Sequence, residues 1–193
     1  DYIVSHGETS RVALANIFGL STATVTNIVT ELLDQKLLYE SRREQSIAGR
    51  KATLLQFNSN LHYALTVSIG RSPKDEDCAE FTICNLRGEI ISEKKMYQAF
   101  TISESFSESD MLKGLIAALR AFIAEQSSST QAALCAIGIC IHGMVNCRQT
   151  VDTPILNWKN VNLTIPLQAA LHLPVYVEGV TRVKALYELR FID

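Results

Sequence analysis

Residues Ser10 to Leu38 constrain the fold of this chain more than any other stretch, because they show the pattern of two short helices around a tight turn. Apolar residues recur at helical spacing in the first helix, at Val12, Leu14, Ala15 and Phe18. The second helix carries a matching stripe at Val25, Ile28, Val29, Leu32 and Leu33. Between them, Gly19 stands where helices commonly end in a left-handed residue, and Ser21 stands where a hydroxyl can cap the following helix. The stretch therefore predicts a sharp helical corner.

The face of the second helix that lies opposite its apolar stripe opens with slim polar side chains. A helix that enters the major groove of DNA needs such a leading face, while its rear face stays buried. Threonine is a mediocre helix former, so a run of threonines is a poor choice for a face that only meets water. The pattern favours a DNA-binding helix-turn-helix, and a plain helical hairpin is the alternative. The candidate DNA contacts in this stretch are Ser10, Arg11, Ser21, Thr22, Thr24, Thr26 and Asn27.

Two short strand-like runs follow, at 37–40 and 52–57, with a basic, glycine-containing segment between them. A hairpin of this kind directly after a recognition helix is typical of a wing. Arg50, next to Gly49, is predicted to lie in a minor groove, because narrow A·T tracts attract guanidinium groups. The predicted phosphate contacts are Arg42, Arg43 and Lys51. For any one of these cations, simple solvation is the alternative.

Composition limits the class of protein. The chain has 193 residues, of which 47% are hydrophobic, enough for a proper core in one or two domains. Its net charge of −2, from 18 basic and 20 acidic residues, means that DNA contacts must come from locally arranged charge. The longest nearly uncharged apolar run, 132–145, is shorter than the roughly 20 residues that span a bilayer. We therefore expect no membrane-spanning segment, whereas the odd number of cysteines with apolar neighbours is what predicts a cytoplasmic protein.

The cysteines show neither a C-x-x-C pair nor a histidine at ligand spacing. An odd number of cysteines with apolar neighbours predicts reduced, buried thiols and no metal site. The five residues are Cys78, Cys84, Cys135, Cys140 and Cys147.

The rest of the chain predicts an α/β layer on a mixed sheet. Asn58-Ser59-Asn60 serves as the linker, which divides the chain into domains 1–58 and 59–193. Strands are predicted at 63–69, 79–86, 90–97, 133–141 and 174–177, and helices at 109–123, 163–171 and 180–189. The polar run 127–130 and the segment around Gly143, Pro154 and Trp158 are predicted to be loops.

Four segments together resemble the ROK family (repressors, open reading frames and sugar kinases), especially its N-acetylglucosamine, xylose and glucose-type repressors. They are 10–26, 48–51, 137–146 and 153–178. The resemblance implies a winged helix followed by the first lobe of an actin-like, hexokinase-like (ribonuclease H-like) domain, α/β in that lobe and α+β overall. Family members carry a second lobe with a zinc site and most of the dimer interface. The absence of that lobe from this sequence indicates a shortened gene or a fragment.

The sequence departs from the kinase members at two positions. Ser68 stands where the kinases have the Asp of a D-x-G-x-T phosphate loop, and Val180 stands where the family's Glu-Asn-Asp motif has its base. A valine accepts neither a proton nor a hydrogen bond, so the base is lost. Ile155 stands near a position where many members have a sugar-contacting Asn. The polar groups left near the expected cleft are Asn157 and Glu178, the candidate sugar contacts, and His142; a purely structural role is the alternative for each.

These observations predict a sequence-specific DNA-binding transcriptional regulator, a repressor of sugar-metabolism genes, that is not an enzyme and needs no cofactor. Its expected partners are double-stranded operator DNA, a second copy in a homodimer, and a sugar or sugar-phosphate effector that is weak or lost. The alternatives are an ATP-dependent sugar kinase and a truncated remnant that only makes protein interactions.

Overall fold

The chain forms two compact units, Asp1–Leu61 and His62–Asp193, which are described separately. The computed structural model describes residues 2–43, 52–71, 77–97, 108–147, 149–154 and 157–191. The N–H of Leu61 donates to the carbonyl of Asn58 at 3.3 Å, in a turn that closes the first unit. The predicted boundary after residue 58 lies at the start of this turn.

The first unit combines helices with a small antiparallel sheet. Its described helices are α1 (Tyr2–His6), α2 (Arg11–Phe18) and α3 (Thr22–Asp34). Its described strands are β1 (Thr9–Ser10), β2 (Leu38–Arg43) and β3 (Thr53–Phe57), in the sheet order β1-β3-β2. One hydrophobic core joins the helices to the sheet through Ile3, Leu14, Ala15, Val25, Val29, Leu38 and Leu55.

The predicted corner between the helices is confirmed. Gly19 adopts the left-handed conformation (φ 63°, ψ 29°) at the end of α2, and its N–H donates to the Ala15 carbonyl. Ser21 caps α3 by accepting a hydrogen bond from the N–H of Thr24 at 3.1 Å. The chain turns by 120° between α2 and α3. The predicted apolar stripes are partly wrong, because Val12 and Phe18 on α2 and Ile28 on α3 are exposed.

The second unit is built on a mixed sheet, as predicted. Its described strands are β4 (Tyr63–Arg71), β5 (Asp77–Asn85), β6 (Ile90–Tyr97), β7 (Leu134–Ile141), β8 (Met144–Val145), β9 (Thr150–Thr153), β10 (Trp158–Asn162) and β11 (Val175–Gly179). Its described helices are α4 (Glu108–Ala124), α5 (Ser128–Ala133), α6 (Thr164–Leu171) and α7 (Val180–Phe191).

The main sheet has the order β11-β7-β4-β5-β6. Its first three strands are parallel to one another, and β5 and β6 are antiparallel additions. Alternate residues such as Leu65, Val67 and Ile137 are completely buried, in a core with side chains of α4 and α6 that include Leu115 and Leu167. The main sheet therefore buries one face under α4 and α6.

Two predicted loops contain regular structure instead. Residues 128–133 form α5, because the Ser127 hydroxyl accepts a hydrogen bond from the Thr130 N–H at 3.2 Å and caps the helix. The segment around Gly143 and Trp158 forms β8, β9 and β10, which pair as a second small sheet.

The prediction of buried thiols is wrong. Cys135 and Cys147 are exposed, and Cys84 and Cys140 are only half-buried. All four are free thiols, and the side chain of Cys78 lies outside the described residues.

Within the described ranges, no single helix has the length and apolar character to cross a membrane. Helices α2 and α3 have that length and apolar character only when they are taken together as one bent pair.

Candidate nucleic-acid interface and sugar cleft

The leading face of α3 is open to solvent. The exposed side chains on this face are those of Thr22, Thr24, Thr26 and Asn27. On the opposite side of the helix, Val25 and Val29 are buried in the core. The first turn of α3 carries no acidic residue, so nothing on the helix offsets the partial positive charge at its N-terminus. A helix end of this kind favours an anionic partner.

The hydroxyl groups on this face differ in how far they are already engaged. Thr24 Oγ1 lies 2.8 Å from the Ser21 hydroxyl, and Thr26 Oγ1 donates to the carbonyl of Thr22 at 2.7 Å. The side chains of Thr22 and Asn27 make no hydrogen bond within the described part of the chain. Sequence reasoning did not separate these two pairs, because the difference depends on rotamers.

Ser10 and Arg11 have structural partners in the first unit. The Ser10 hydroxyl caps α2 by accepting a hydrogen bond from the N–H of Ala13 at 3.2 Å. The Arg11 guanidinium donates to the Glu40 carboxylate at 3.0 Å, which offsets its charge locally. Their contacts with DNA remain predictions.

The wing prediction falls mainly outside the described residues. β2 and β3 pair as an antiparallel hairpin, with Leu38 opposite Phe57 and Arg43 opposite Thr53. The tip, 44–51, which includes Arg50 and Lys51, is not described, nor is the side chain of Arg42.

The second unit places three predicted strand ends at one edge. β4, β7 and β11 run in parallel, so their carboxyl ends meet, and ligands of open α/β sheets bind beside such ends. Ser68 is opposite Cys140 on one side, and Glu178 is opposite Cys140 on the other. All three side chains line a cavity of about 440 Å³ on the face away from α4 and α6.

The two predicted sugar contacts are not placed in the same cavity. Glu178 lines it and makes an ion pair with Arg182 on α7 at 3.5 Å. Asn157 lies in a turn with a positive φ of 50° and is exposed, and it is not among the described residues that line the cavity. Val180 begins α7 directly after β11, and its side chain is half-buried.

His142 contributes a contact that the sequence analysis did not identify. A Cβ placed on Gly70 would lie only 2.9 Å from His142 Cδ2, so the imidazole rests directly against the Gly70 backbone. The Thr153 hydroxyl donates to the His142 carbonyl at 2.6 Å, and Thr153 is completely buried. The ring therefore fills the space beside the last residues of β4.

Close backbone packing shapes the same edge. A Cβ on Gly143 would lie 2.6 Å from the Asp152 carbonyl oxygen, and one on Gly179 would lie 3.0 Å from the Gly143 oxygen. These glycines bring β9, the end of β11 and the turn after β7 closer together than any other residue would allow.

The thiol of Cys140 lies in the cavity, and its surroundings shift its pKa. Burial raises the pKa of Cys140, and the nearby Lys184 ammonium partly offsets that rise. Among the described residues, no group of three or more His, Cys, Asp or Glu side chains is arranged to hold a metal ion.

A family model described as ROK family matches residues 75–191, which is more than half of the chain. This chain belongs to the ROK family. The xylose repressors of Bacillus spizizenii (strain ATCC 23059 / NRRL B-14472 / W23) and Bacillus subtilis (strain 168) are 29% and 28% identical to it over 178 residues. Each alignment covers 92% of this chain and 44% of the repressor, so the chain spans less than half the length of these relatives.

The solved structures agree with this assignment to the ROK family. A ROK family transcriptional regulator, described as a homologue of the E. coli MLC protein, superposes with a TM-score of 0.70 at 28% identity. The superposition covers 95% of this chain and 44% of that one. A putative sugar kinase from Cytophaga hutchinsonii shares the fold, with a TM-score of 0.53 at 18% identity, over 67% of this chain and 40% of its own. The chain therefore has the actin-like, sugar-kinase-like fold of ROK proteins.

Proposed function

We propose that this chain is a sugar-responsive transcriptional repressor that binds operator DNA through a winged helix, residues 1–58. The single observation that carries the proposal is the exposed polar face of α3 beyond the sharp corner at Gly19. Residues 59–193 form the ROK lobe, which we propose senses a sugar weakly or has lost that ability. The named relatives that support a repressor function are xylose repressors.

The geometry of the corner supports DNA binding. Helix-turn-helix motifs cross at roughly 90–120°, and the turn between α2 and α3 is 120°. In such motifs the second helix places its N-terminal residues on base edges. On α3 these are the exposed residues from Thr22 to Asn27, whose positions are fixed by the buried Val25.

Asn27 and Thr22 are the proposed base-reading residues, because their side-chain polar groups are not used within the described structure. An asparagine amide can bind the N6 and N7 edge of adenine with two hydrogen bonds, and a threonine can contact a thymine methyl group. Arg42 and Lys51 are proposed to contact phosphates, and Arg50 a narrow minor groove.

The lobe is proposed to have no kinase activity. Phosphoryl transfer needs cradled phosphates, bound metal and a base for the attacking hydroxyl. Ser68 and Val180 remove two of these groups, as the sequence indicates. The His142 ring lies against Gly70, which by the resemblance is the glycine of the kinases' D-x-G-x-T loop.

The proposed effector is a sugar or sugar phosphate, with Glu178 and Asn157 as its candidate contacts. The ion pair between Glu178 and Arg182 competes for the carboxylate, which supports weak rather than strong binding. A homodimer in the cytoplasm is proposed because helix-turn-helix proteins commonly read two half-sites as dimers.

The experiment selects binding sites for this chain from random DNA and compares specific with non-specific affinity. Thr22→Ala and Asn27→Ala are expected to weaken specific binding by about 1–3 kcal/mol per lost base contact and to spare non-specific binding. Thr30→Ala is the matched control, because Thr30 is exposed on the same helix and donates to the Thr26 carbonyl at 2.9 Å.

Failure to enrich any sequence would contradict DNA reading by this chain. Equal losses on specific and non-specific DNA would show that α3 is not the reading helix. Measurements at two salt concentrations separate phosphate contacts from base contacts, since only the former release counterions.

A further inference from the structure

Helix α3 carries no charged side chain in the part that a helix-turn-helix uses to read bases. It has neither a lysine nor an arginine, and its charged residues are Glu31 and Asp34. Arginine and lysine are the side chains that bind the O6 and N7 acceptors of guanine with two hydrogen bonds. Since the N-terminal residues of such a helix meet the bases, Glu31 in the third turn lies beyond the reading part. The reading part of α3 therefore lacks the usual partner of guanine.

Ala23 lies on the exposed face of α3 and is absent from the DNA contacts predicted from the sequence. It stands two residues before the buried Val25, and Asn27 stands two residues after it, so both lie on the opposite side of the helix from Val25. Ala23 and Asn27 are four residues apart and are therefore neighbours on that side. An exposed alanine offers a partner only its methyl group. The matching feature of the major groove is the C5-methyl group that thymine carries.

The neighbouring threonines also present methyl groups. Thr24 Oγ1 lies 2.8 Å from the Ser21 hydroxyl, and Thr26 Oγ1 donates to the Thr22 carbonyl at 2.7 Å. Because these hydroxyls are used at the start of the helix itself, the Cγ2 methyl group is the part of each side chain left for a partner. Ile28, which is 46% exposed, adds an apolar side chain four residues after Thr24. This part of α3 therefore offers mainly apolar groups to a base edge.

We propose that the Ala23 methyl group packs against the C5-methyl group of a thymine, and that the base pairs under the first two turns of α3 are A·T pairs. The proposal rests on the proposed function, because it requires α3 to enter a major groove. Cytosine in place of that thymine would lose the methyl contact and would set its N4 donor against an apolar group, which costs a hydrogen bond to water. Ala23 is therefore a specificity-determining residue of the reading helix.

The test replaces the thymines of the operator selected from random DNA with uracil, one position at a time. This change removes the C5-methyl group and leaves base pairing intact. At the thymine under Ala23, affinity is expected to fall about fourfold, the effect of one buried methyl-sized group. In Ala23→Gly the same uracil should have no effect, because the protein side of the contact is gone. Comparing thymine with uracil DNA within one variant cancels any loss of helix stability that the glycine causes.

Thr30→Ala is the matched control. It lies on the same helix but in the third turn, so it should keep the full fourfold effect of uracil at the position under Ala23. A guanine analogue without N7, placed at each guanine of the operator in turn, gives a second readout. It should not weaken binding at any base pair whose preference is relaxed by Ala23→Gly or Asn27→Ala.

The outcomes separate this proposal from the proposed function. Failure to select any operator overturns both together. If an operator is selected, the thymine contact alone is overturned when no uracil weakens binding, or when the uracil effect persists at every position in Ala23→Gly. It is likewise overturned when the guanine analogue weakens binding at a base pair that Ala23→Gly or Asn27→Ala relaxes.

Discussion

At the residue scale, the contact between His142 and Gly70 shows how one missing Cβ can determine the shape of a site. The imidazole occupies the space that any side chain at position 70 would need. The Thr153 hydroxyl holds the backbone of His142 in place by donating a hydrogen bond to its carbonyl. The two residues are far apart in sequence, and each lies just beyond the end of a predicted strand, at 69 and at 141. Their contact is therefore visible only in the folded chain.

Replacing Gly70 with alanine is expected to destabilise the fold by about 0.5–1.5 kcal/mol, because the new methyl group would force the exposed His142 ring out of its present rotamer. Adding His142→Ala should recover most of that loss, since the exposed ring can be removed at little cost. Urea denaturation of the two single variants and the double variant measures the coupling. Gly138→Ala is the control, because its Cβ has room, and it should be neutral. A Gly70→Ala loss that His142→Ala does not recover would place the strain elsewhere.

At the element scale, α3 depends on its first turn for both stability and function. Ser21 accepts the hydrogen bond from the Thr24 N–H that starts the helix, and the same turn presents Thr22 to solvent. A frayed first turn would therefore move the proposed reading residues as well as weaken the helix.

Ser21→Ala is expected to cost about 1 kcal/mol of stability and to reduce specific operator affinity, because the Thr24 N–H loses its acceptor. Ser21→Asp should restore the stability, since a carboxylate caps equally well and favours the helix N-terminus. Chemical denaturation and DNA titration of the three proteins measure both effects. If Ser21→Ala lost affinity at unchanged stability, Ser21 would be a DNA contact and not mainly a cap.

Elements with a strong period were predictable from sequence, and elements fixed by local capping or by distant packing were not. The alternation in β4 and the helical spacing from Met111 to Ile123 led to correct predictions of type and position. The polar run at Ser127 concealed α5, because a capping serine also resembles a loop residue. β8, β9 and β10 are short strands with ordinary turn residues, and only their mutual pairing defines them.

Side-chain exposure was harder to predict than secondary structure. Phe18 and Ile28 fit apolar stripes by spacing, but they lie at the edges of those stripes and are 55% and 46% exposed. The lining of the cavity was predictable only for residues at the ends of predicted strands. Ser68 and Glu178 do line one cavity, whereas Asn157, in a loop, is not among its described lining residues. A linear motif does not specify which loop residues turn towards a cleft.

At the scale of the whole molecule, the chain has the fold of proteins that include a putative sugar kinase, while its named relatives are repressors. The fold alone does not distinguish a sugar kinase from a repressor, so the distinction has to come from the residues of the site. Our proposal of a regulator rests on Val180, which by the resemblance replaces the base of the family's motif.

The chain is expected to show no sugar-dependent ATP turnover with a panel of pentoses, hexoses and N-acetylhexosamines. Val180→Asp should improve sugar affinity without producing turnover, because it restores a hydrogen-bonding group but not the phosphate site. Isothermal titration and a coupled ATPase assay measure the two properties. Gly179 is left unchanged, since a side chain there would press on the Gly143 carbonyl. Turnover by the unmodified chain would contradict the regulator proposal.

The central position of β4 in the main sheet has a consequence for biosynthesis. Its antiparallel neighbour β5 is complete at Asn85, but its parallel neighbour β7 begins only at Leu134. At about 5–20 residues per second, a ribosome needs roughly 2–10 s to make the intervening segment. Throughout that interval one edge of β4 has unpaired amides and carbonyls, and such an edge can pair with another nascent chain. Faster translation between these two strands would therefore raise the soluble yield, although it alters no contact in the finished protein.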